Sequence, residues 1–190
     1  MPATRNQLRI IGGQYRGRKL HFPDTEGLRP TPDRVRETLF NWLQPVIGGA
    51  HCLDLFAGSG ALGLEAISRG AGRVVLVDKH PAVVRQLRDN LALLGAERAE
   101  VIQADARSFL DGPREQFEVV FLDPPYQADL LVPCIEQLEQ NDWLTAQAWI
   151  YVETPANQDL PGLPTNWSAQ HSKRAGQVGY HLLRRTVPLA

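Results

Sequence analysis

The fold class of this chain is decided by one stretch, His51-Cys52-Leu53-Asp54-Leu55-Phe56-Ala57-Gly58-Ser59-Gly60-Ala61-Leu62-Gly63-Leu64-Glu65-Ala66. Apolar residues lead into a glycine-rich loop, and the loop opens a helix with Leu62, Ala66 and Ile67 on one face. Glycines let a ligand approach the backbone closely, and a helix N-terminus offers free N–H groups. The pattern therefore predicts a strand, a ligand-binding loop and a helix, in that order.

The same loop fits the G-x-G-x-x-G pattern of dinucleotide-binding folds through Gly58, Gly60 and Gly63. Asp78 follows about 20 residues later, where a ribose-binding carboxylate is expected. An NAD-dependent enzyme is therefore one interpretation. Asp54 argues against it, because a carboxylate just before the loop would repel a pyrophosphate and attract a cationic amino-acid ligand.

A second motif, Asp123-Pro124-Pro125-Tyr126, follows an apolar run over residues 117–122 that is typical of a buried strand. Two prolines end the strand, because neither has an N–H and each restricts the preceding residue to extended backbone. The carbonyl groups of Asp123 and Pro124 are then without ladder partners, beside an aromatic ring that can stack on a base. This arrangement suits an exocyclic amino group of a nucleobase. An ordinary strand-to-turn junction is the alternative for this run alone.

Four aspartates each close a candidate parallel strand, namely Asp54, Asp78, Asp105 and Asp123. In open α/β sheets, ligands bind in the crevice at the carboxyl ends of the strands. One such aspartate is often only a helix or turn cap. Four of them beside a glycine loop favour a lined pocket.

Both motifs together, residues 54–60 and 123–126, resemble the S-adenosylmethionine-dependent amino-methyltransferases. Residues 8–20, LRIIGGQYRGRKL, and residues 29–43, RPTPDRVRETLFNWL, narrow the resemblance to the RsmD family over about residues 8–185. Those enzymes methylate the N2 amino group of one guanine, nucleotide 966, in bacterial 16S ribosomal RNA. DNA methyltransferases share the two motifs, so the N-terminal stretches are what favour this family.

The resemblance implies an α/β fold, a Rossmann-like class I methyltransferase with a seven-stranded, mostly parallel sheet, one reversed strand and helices on both faces. A small basic RNA-contacting extension (residues 1–30) precedes the methyltransferase domain (residues 31–190). The implied cofactor is S-adenosylmethionine, with no metal. The implied partner is 16S ribosomal RNA in the small subunit or its assembly intermediate, and the protein is expected to be monomeric.

The resemblance also implies roles for individual residues. The catalytic set is Asp123, Pro124, Pro125 and Tyr126. S-adenosylmethionine is expected to contact Arg29, Thr31, Asp54, Phe56, Gly58, Gly60, Asp78, Lys79, Asp105, Ala106 and Asp123. Within this set, Asp78 is assigned the ribose hydroxyls, Asp105 the adenine amino group and Asp54 the methionine portion. The RNA contacts are expected at Arg5, Arg9, Arg16, Arg18, Lys19, Arg34, Lys173 and Arg174.

Periodicity and breakers predict the secondary structure. Strands are expected near residues 8–11, 19–22, 52–56, 73–78, 100–104, 117–122 and 147–153, and helices near 61–70, 81–94 and 128–140. Thr31 is predicted to cap an earlier helix that has Pro32 at its first position. Residues 167–171 and 179–185, separated by residues 173–177, predict a closing hairpin.

Composition agrees with one domain, since the 190 residues are 43% hydrophobic. No apolar run approaches the length of a membrane span and no signal-peptide core is present, so we expect a cytoplasmic protein without membrane association. Cys52 and Cys134 match no metal-ligand spacing and are expected to be buried, reduced thiols.

Charge is unevenly distributed around a net value of −1. Residues 1–49 carry 8 Lys and Arg against 4 Asp and Glu, and residues 166–190 carry 4 against none. The middle, residues 50–165, carries 8 against 17. Basic ends on an acidic body suit a cofactor-binding core with phosphate-facing flanks.

Two further alternatives stay open beside the NAD-dependent enzyme. A DNA adenine-N6 or cytosine-N4 methyltransferase would share both motifs, but such enzymes usually carry a target-recognition region for which this chain has no spare length. A non-catalytic RNA-binding assembly factor would have no need of the geometry of residues 123–126. The predicted mechanism is direct in-line transfer of the methyl group to guanine N2.

Overall fold

A computed structural model describes residues 6–188 of the chain, apart from the side chain of Gln127. The strands are β1 (Gln7–Arg9), β2 (Lys19–His21), β3 (His51–Asp54), β4 (Arg73–Asp78), β5 (Ala99–Gln103), β6 (Phe117–Leu122), β7 (Leu144–Pro155), β8 (Trp167–Ala175) and β9 (Val178–Arg185). The α-helices are α1 (Asp33–Ile47), α2 (Ala61–Ser68), α3 (Pro81–Leu94), α4 (Ala106–Leu110) and α5 (Leu131–Gln140).

Seven strands form the main sheet, in the order β5-β4-β3-β6-β7-β9-β8. Strands β3 to β7 run parallel, and β9 is antiparallel to both of its neighbours. The predicted class I methyltransferase sheet with one reversed strand is confirmed. Its central strands are continuous apolar runs because helices cover both of their faces.

The hydrophobic core lies in two layers, one on each face of the sheet. Side chains alternate between the layers along a strand, so Cys52 packs with α1, α2 and α3, while the next residue, Leu53, packs with α4 and α5. Cys52 and Cys134 are buried free thiols, as predicted. No helix within residues 6–188 has both the length and the apolar character needed to cross a membrane.

The small sheet of β1 and β2 is packed onto α2 and α3. Its Leu8 and Leu20 are buried in the same layer of core as α1, α2 and α3. The Glu65 carboxylate on α2 accepts hydrogen bonds from the backbone N–H groups of Ile11 and Gly12 at 3.0 and 2.9 Å. Gly13 has a φ of +78°, and a Cβ there would lie 1.9 Å from the Ser68 carbonyl oxygen. The described part of the extension, from residue 6 onward, is therefore closely docked, and the division of the chain at residue 30 stays a prediction.

Helix α1 begins differently from the prediction. Pro32, not Thr31, is the residue that precedes its first turn, and no side chain caps that turn. The Thr31 hydroxyl instead donates to Glu153 Oε1 at 3.2 Å. The Thr31 hydroxyl, which the local sequence predicts as a helix cap, therefore forms its hydrogen bond with a carboxylate on the sheet instead.

Two other boundaries also move. Helix α5 begins at Leu131 instead of residue 128, because Tyr126–Ala128 forms a 3₁₀ turn and Asp129 then takes a left-handed φ of 47°. The predicted loop at residues 173–177 is wrong for its first three positions, since β8 continues through Ala175. Only residues 176–177 make the turn, so Lys173 and Arg174 are strand residues on the edge of the sheet.

Helix α4 was not predicted. It is five residues long, too short to show a helical period, and Asp105 precedes it as its N-cap. Asp105 Oδ1 accepts the N–H groups of Arg107 and Ser108 at 3.1 and 3.2 Å.

Candidate active site

A cavity of about 460 Å³ opens at the carboxyl ends of the parallel strands. It lies beside the neighbouring strands β3 and β6, where the order in which strands are added to the sheet reverses direction. Ten of the residues predicted to bind the cofactor line it, namely Arg29, Thr31, Asp54, Phe56, Gly58, Asp78, Lys79, Asp105, Ala106 and Asp123. The other residues predicted to be catalytic, Pro124, Pro125 and Tyr126, line it as well. Gly60 does not; it lies behind the loop, against Leu64 and Leu87.

Asp54 ends β3 beneath the glycine loop. It is buried, and its Oδ2 accepts the N–H of Gly63 at 2.9 Å. A Cβ at Gly63 would lie 2.6 Å from Leu76 and 3.1 Å from Asp54 Oδ2, so the helix can approach the strand this closely only at glycine. Burial raises the pKa of Asp54 to about 7; the hydrogen bond from Gly63 opposes this rise, and the charges of Asp78 and Glu153 add to it.

Asp78 ends β4 and holds the glycine loop from the side. Its Oδ2 accepts the N–H of Gly58 at 3.0 Å, and its Oδ1 accepts the N–H of His80 at 2.9 Å. Each carboxylate oxygen has a further lone pair for a ligand hydroxyl. Gly58 has a φ of +53°, and a Cβ there would lie 2.8 Å from Leu28.

Residues 123–126 form what we call the acceptor turn. Leu122 is the last residue of β6 paired with β7, opposite Val152. The carbonyl oxygens of Asp123 and Pro124 are not among the acceptors of the described backbone hydrogen bonds. The Tyr126 ring is 46% exposed, and its hydroxyl is 3.5 Å from the Thr154 carbonyl oxygen. Partial burial raises the pKa of Tyr126 to about 12, with further increases from the charges of Glu153 and Asp123.

Glu153, near the end of β7, is the site residue that the sequence analysis missed. It is buried, and its Oε1 accepts the hydroxyl groups of Tyr151 at 2.7 Å and Thr31 at 3.2 Å. Glu153 and Asp123 directly follow Val152 and Leu122, which pair across β7 and β6, so the two residues are neighbours. Burial, followed by the charge of Glu153 and a hydrogen bond with it, raises the pKa of Asp123 well above its usual range. The signal was present, because Glu153 closes a predicted parallel strand as the four aspartates do.

Residues 25–32, which we call the strap, run along the cavity between the small sheet and α1. All eight of them line it. Of these eight residues, only Arg29 and Thr31 are predicted from the sequence to contact the cofactor. Leu28 reaches over the glycine loop and is partly buried against the core.

A second cavity, of about 250 Å³, lies on the other side of the acceptor turn. The residues that line both cavities are Pro124, Pro125, Tyr126, Leu130 and Glu153. The second cavity continues past Thr154 to Gln158 and Asp159. The acceptor turn and Glu153 thus form a wall between two spaces, one deep and acidic, the other smaller and beside an exposed aromatic ring.

The predicted RNA contacts are spread over the surface. Seven of them are exposed, namely Arg9, Arg16, Arg18, Lys19, Arg34, Lys173 and Arg174. Arg5 lies outside the described residues. Arg174 pairs with Gly179, next to Val178 of the cavity wall, so the tip of the β8–β9 hairpin reaches the site. Within residues 6–188, no group of three His, Cys, Asp or Glu side chains could hold a metal ion.

Comparison with known proteins agrees with this architecture. A family model described as conserved hypothetical protein 95 matches residues 8–184. Ribosomal RNA small subunit methyltransferase D of Escherichia coli (strain K12) is 55% identical over 179 residues, which are 94% of this chain and 90% of that protein. The protein of the same name from Haemophilus influenzae is 48% identical over 185 residues, 95% of each chain.

The solved structure of yhhF from Escherichia coli superposes with a TM-score of 0.89 at 53% identity and covers 95% of this chain and 98% of that one. The family match spans both sheets and every element that lines the cavity. The chain belongs to the family described as conserved hypothetical protein 95, which is the RsmD family of methyltransferases.

Proposed function

We propose that this protein transfers the methyl group of S-adenosylmethionine to the N2 amino group of guanine 966 in 16S ribosomal RNA, within the small subunit or its assembly intermediate. One observation carries the chemistry: the acceptor turn separates a deep acidic cavity from a smaller one beside an exposed ring. The RNA is supported by the relatives, which are named for the ribosomal RNA of the small subunit. The guanine and its N2 position rest on the family resemblance.

The residues of the large cavity fit S-adenosylmethionine. Its volume of about 460 Å³ suits a ligand of that size. The cofactor carries an ammonium and a sulfonium, and the buried carboxyl groups of Asp54 and Glu153 are suited to cationic groups. Asp78 offers lone pairs to the ribose hydroxyls. Asp105 Oδ1 caps α4, which leaves its Oδ2 for the adenine amino group. When bound, the cofactor supplies a methyl group already activated for transfer.

The chain's own residues then position the amine. The lone pair of guanine N2 is delocalised into the ring, so the nitrogen must become pyramidal before it can attack. The Asp123 carboxyl group and the Pro124 carbonyl oxygen can accept its two N–H protons and favour that geometry. Tyr126 stacks on the base, which must leave its own stack to reach the turn. Positioning and electrostatics provide the rate enhancement.

Asp78→Asn is expected to weaken S-adenosylmethionine binding about tenfold, or about 1.4 kcal/mol, because a neutral amide makes weaker hydrogen bonds to the ribose. Asparagine is preferable to alanine here, since it can still accept the N–H of Gly58 or His80. Calorimetry of cofactor binding measures the effect. Unchanged affinity would show that Asp78 serves only to hold the loop, and Asp89→Asn, an exposed site on α3, is the matched control.

Replacing Arg16, Arg18 and Lys19 together by glutamine is expected to weaken RNA binding and leave cofactor affinity unchanged. All three side chains are exposed; Arg18 also donates to the Leu93 carbonyl oxygen on α3 at 3.2 Å, but Glu65 on α2 holds the backbone of the extension, so it should stay docked. Each phosphate contact contributes about 0.7–0.9 to the slope of log K against log salt, so the loss of three contacts should lower the slope by about 2–3. Specificity for the guanine should survive, because phosphate contacts do not read bases.

Binding at three salt concentrations and a melting curve test this assignment. The control is Arg98→Gln with Arg114→Gln. These residues lie just before the amino ends of β5 and β6, whereas the cavity is at the carboxyl ends of the strands. A triple variant that melts earlier but keeps the wild-type salt slope would mean that the extension only covers the helices.

The proposed function is tested by incubating small subunits from a strain that lacks the enzyme with this protein and S-adenosylmethionine. Mass mapping of the 16S RNA should then show one methyl group on guanine 966. A methyl group on an adenine or cytosine amino group of DNA, with none on the RNA, would favour the DNA methyltransferase. Cofactor binding without turnover on any subunit preparation would favour the assembly factor.

A further inference from the structure

Asp123 and Glu153 directly follow Leu122 and Val152, the last paired residues of the parallel strands β6 and β7, so the two residues lie side by side at the wall between the cavities. Glu153 is only 5% exposed. Both hydroxyl donors that reach it, those of Tyr151 and Thr31, go to Oε1. Its Oε2 accepts no described hydrogen bond from a donor group. The second oxygen is therefore the one available to Asp123.

Although Arg29 and Lys79 line the same cavity, the charged group acting on this pair is acidic. Its titratable neighbours are Asp54 on β3, Tyr126 in the acceptor turn and Tyr151 on β7. Arg29 of the strap donates to the Leu28 carbonyl oxygen. Within residues 6–188, neither carboxyl group of the pair takes part in an ion pair with Lys, Arg or His. Without a counter-charge, the carboxyl group of the neighbouring Glu153 favours the protonated form of Asp123, so the pair retains one proton.

We propose that Glu153 is a positioning residue that shares this proton with Asp123: the pair releases the proton when the cationic methyl donor enters the cavity and takes one up from the guanine amine during transfer. The inference rests on the proposed function, because it concerns the proton that methylation of an amine must displace. It gives Glu153 a role that the motif over residues 123–126 does not contain.

The proton and electron balance requires such an acceptor. The lone pair of N2 forms the new N–C bond, and the C–S bond breaks with its electron pair remaining on sulfur, which becomes neutral. The nitrogen is then positively charged and loses one N–H proton, whose bonding pair returns to nitrogen. Asp123 receives that proton, and Glu153 shares it. When the neutral thioether leaves, the pair of Asp123 and Glu153 again holds one proton.

The first test counts protons released on ligand binding, by calorimetry at pH 7 in buffers of different ionisation enthalpy. The wild-type protein should release more protons per S-adenosylmethionine bound than Glu153→Gln, by up to about one. S-adenosylhomocysteine, which lacks the sulfonium charge, should show a smaller difference. Asp54 also responds to the ligand ammonium, and its pKa of about 7 is raised in part by the charge of Glu153, so the same comparison is repeated with Asp54→Asn as the background of both proteins.

Glutamine keeps the shape of Glu153 and an acceptor for the two hydroxyl groups, so the variant is expected to fold. Tyr151→Phe, which removes one donor to Oε1, provides a second variant with an intermediate change in proton release. Glu136→Gln, at an exposed position on α5, should behave as wild type. In single-turnover methylation of small subunits, Glu153→Gln should lower the rate about tenfold, because Asp123 must then hold the amine proton alone.

Equal proton release by wild type and Glu153→Gln would overturn the inference, whatever the subunit assay shows. A difference in release supports the shared proton even if mass mapping places the methyl group on another nucleotide. Failure of the inference and failure of the proposed function are therefore distinguished by separate measurements, one on the ligand and one on the RNA.

Discussion

Asp123→Ala is expected to lower the rate of methyl transfer by about 10²–10⁴-fold, the usual contribution of a group that handles a proton in the reaction. S-adenosylmethionine binding should be retained, because Asp54 and Glu153 still place acidic groups in the cavity. Single-turnover methylation of small subunits measures the rate, and calorimetry measures the binding. Both are needed, since the acceptor turn lines the cofactor cavity as well as the second one.

The control for this variant is Asp89→Ala, which removes an exposed carboxylate from α3. Near-normal turnover of Asp123→Ala would contradict the mechanism, because the backbone carbonyl of Pro124 would then suffice to orient the amine. A large loss of cofactor affinity, with the rate at saturation unchanged, would instead assign Asp123 to the methyl donor.

Tyr126→Ala is expected to lower kcat/KM on small subunits by about 1–3 kcal/mol, or about 5- to 150-fold, whereas Tyr126→Phe should stay within about threefold of wild type. The reason is geometric. The ring is 46% exposed beside the second cavity, while the hydroxyl is 3.5 Å from the Thr154 carbonyl oxygen, too long for a strong hydrogen bond. Stacking needs the ring and not the hydroxyl.

Steady-state kinetics of the two variants at one salt concentration separate these contributions. Leu93→Ala is the matched control, because Leu93 is an apolar side chain on α3 that is 58% exposed. Equal losses for alanine and phenylalanine at residue 126 would show that the hydroxyl group, not the ring, holds the base.

Much of the fold was predictable because its signals are local. Apolar runs that end in glycine, proline or aspartate placed β3, β4 and β6 to within a residue or two. Pro124 and Pro125 end β6 wherever that strand lies, because neither can donate to a ladder. The convergence of Asp54, Asp78 and Asp123 then follows from parallel winding alone, since all such strands end at the same edge.

Elements with weak local signals were not predictable in this way. Helix α4 has five residues, fewer than a pattern of period 3.6 needs to be recognised. Helix α5 begins later than predicted because a 3₁₀ turn follows Pro125 and Asp129 then takes a left-handed φ. The composition of this stretch does not reveal either feature. The turn of the β8–β9 hairpin has only two residues. The strands continue to pair, as Lys173 does with Tyr180, through positions that were predicted to be loop.

Short sequence patterns specify the fold class, the glycine loop, the acceptor turn and the strand ends that carry the carboxylates. What those groups contact depends on how distant elements pack together. Thr31, which looks like a helix cap, lies 122 positions from the Glu153 carboxylate that takes its hydroxyl. Burial and the charges of Asp78 and Glu153 raise the pKa of Asp54, and burial and the charges of Glu153 and Asp54 raise that of Asp123. Such properties arise between elements distant in the chain, and no local pattern encodes them.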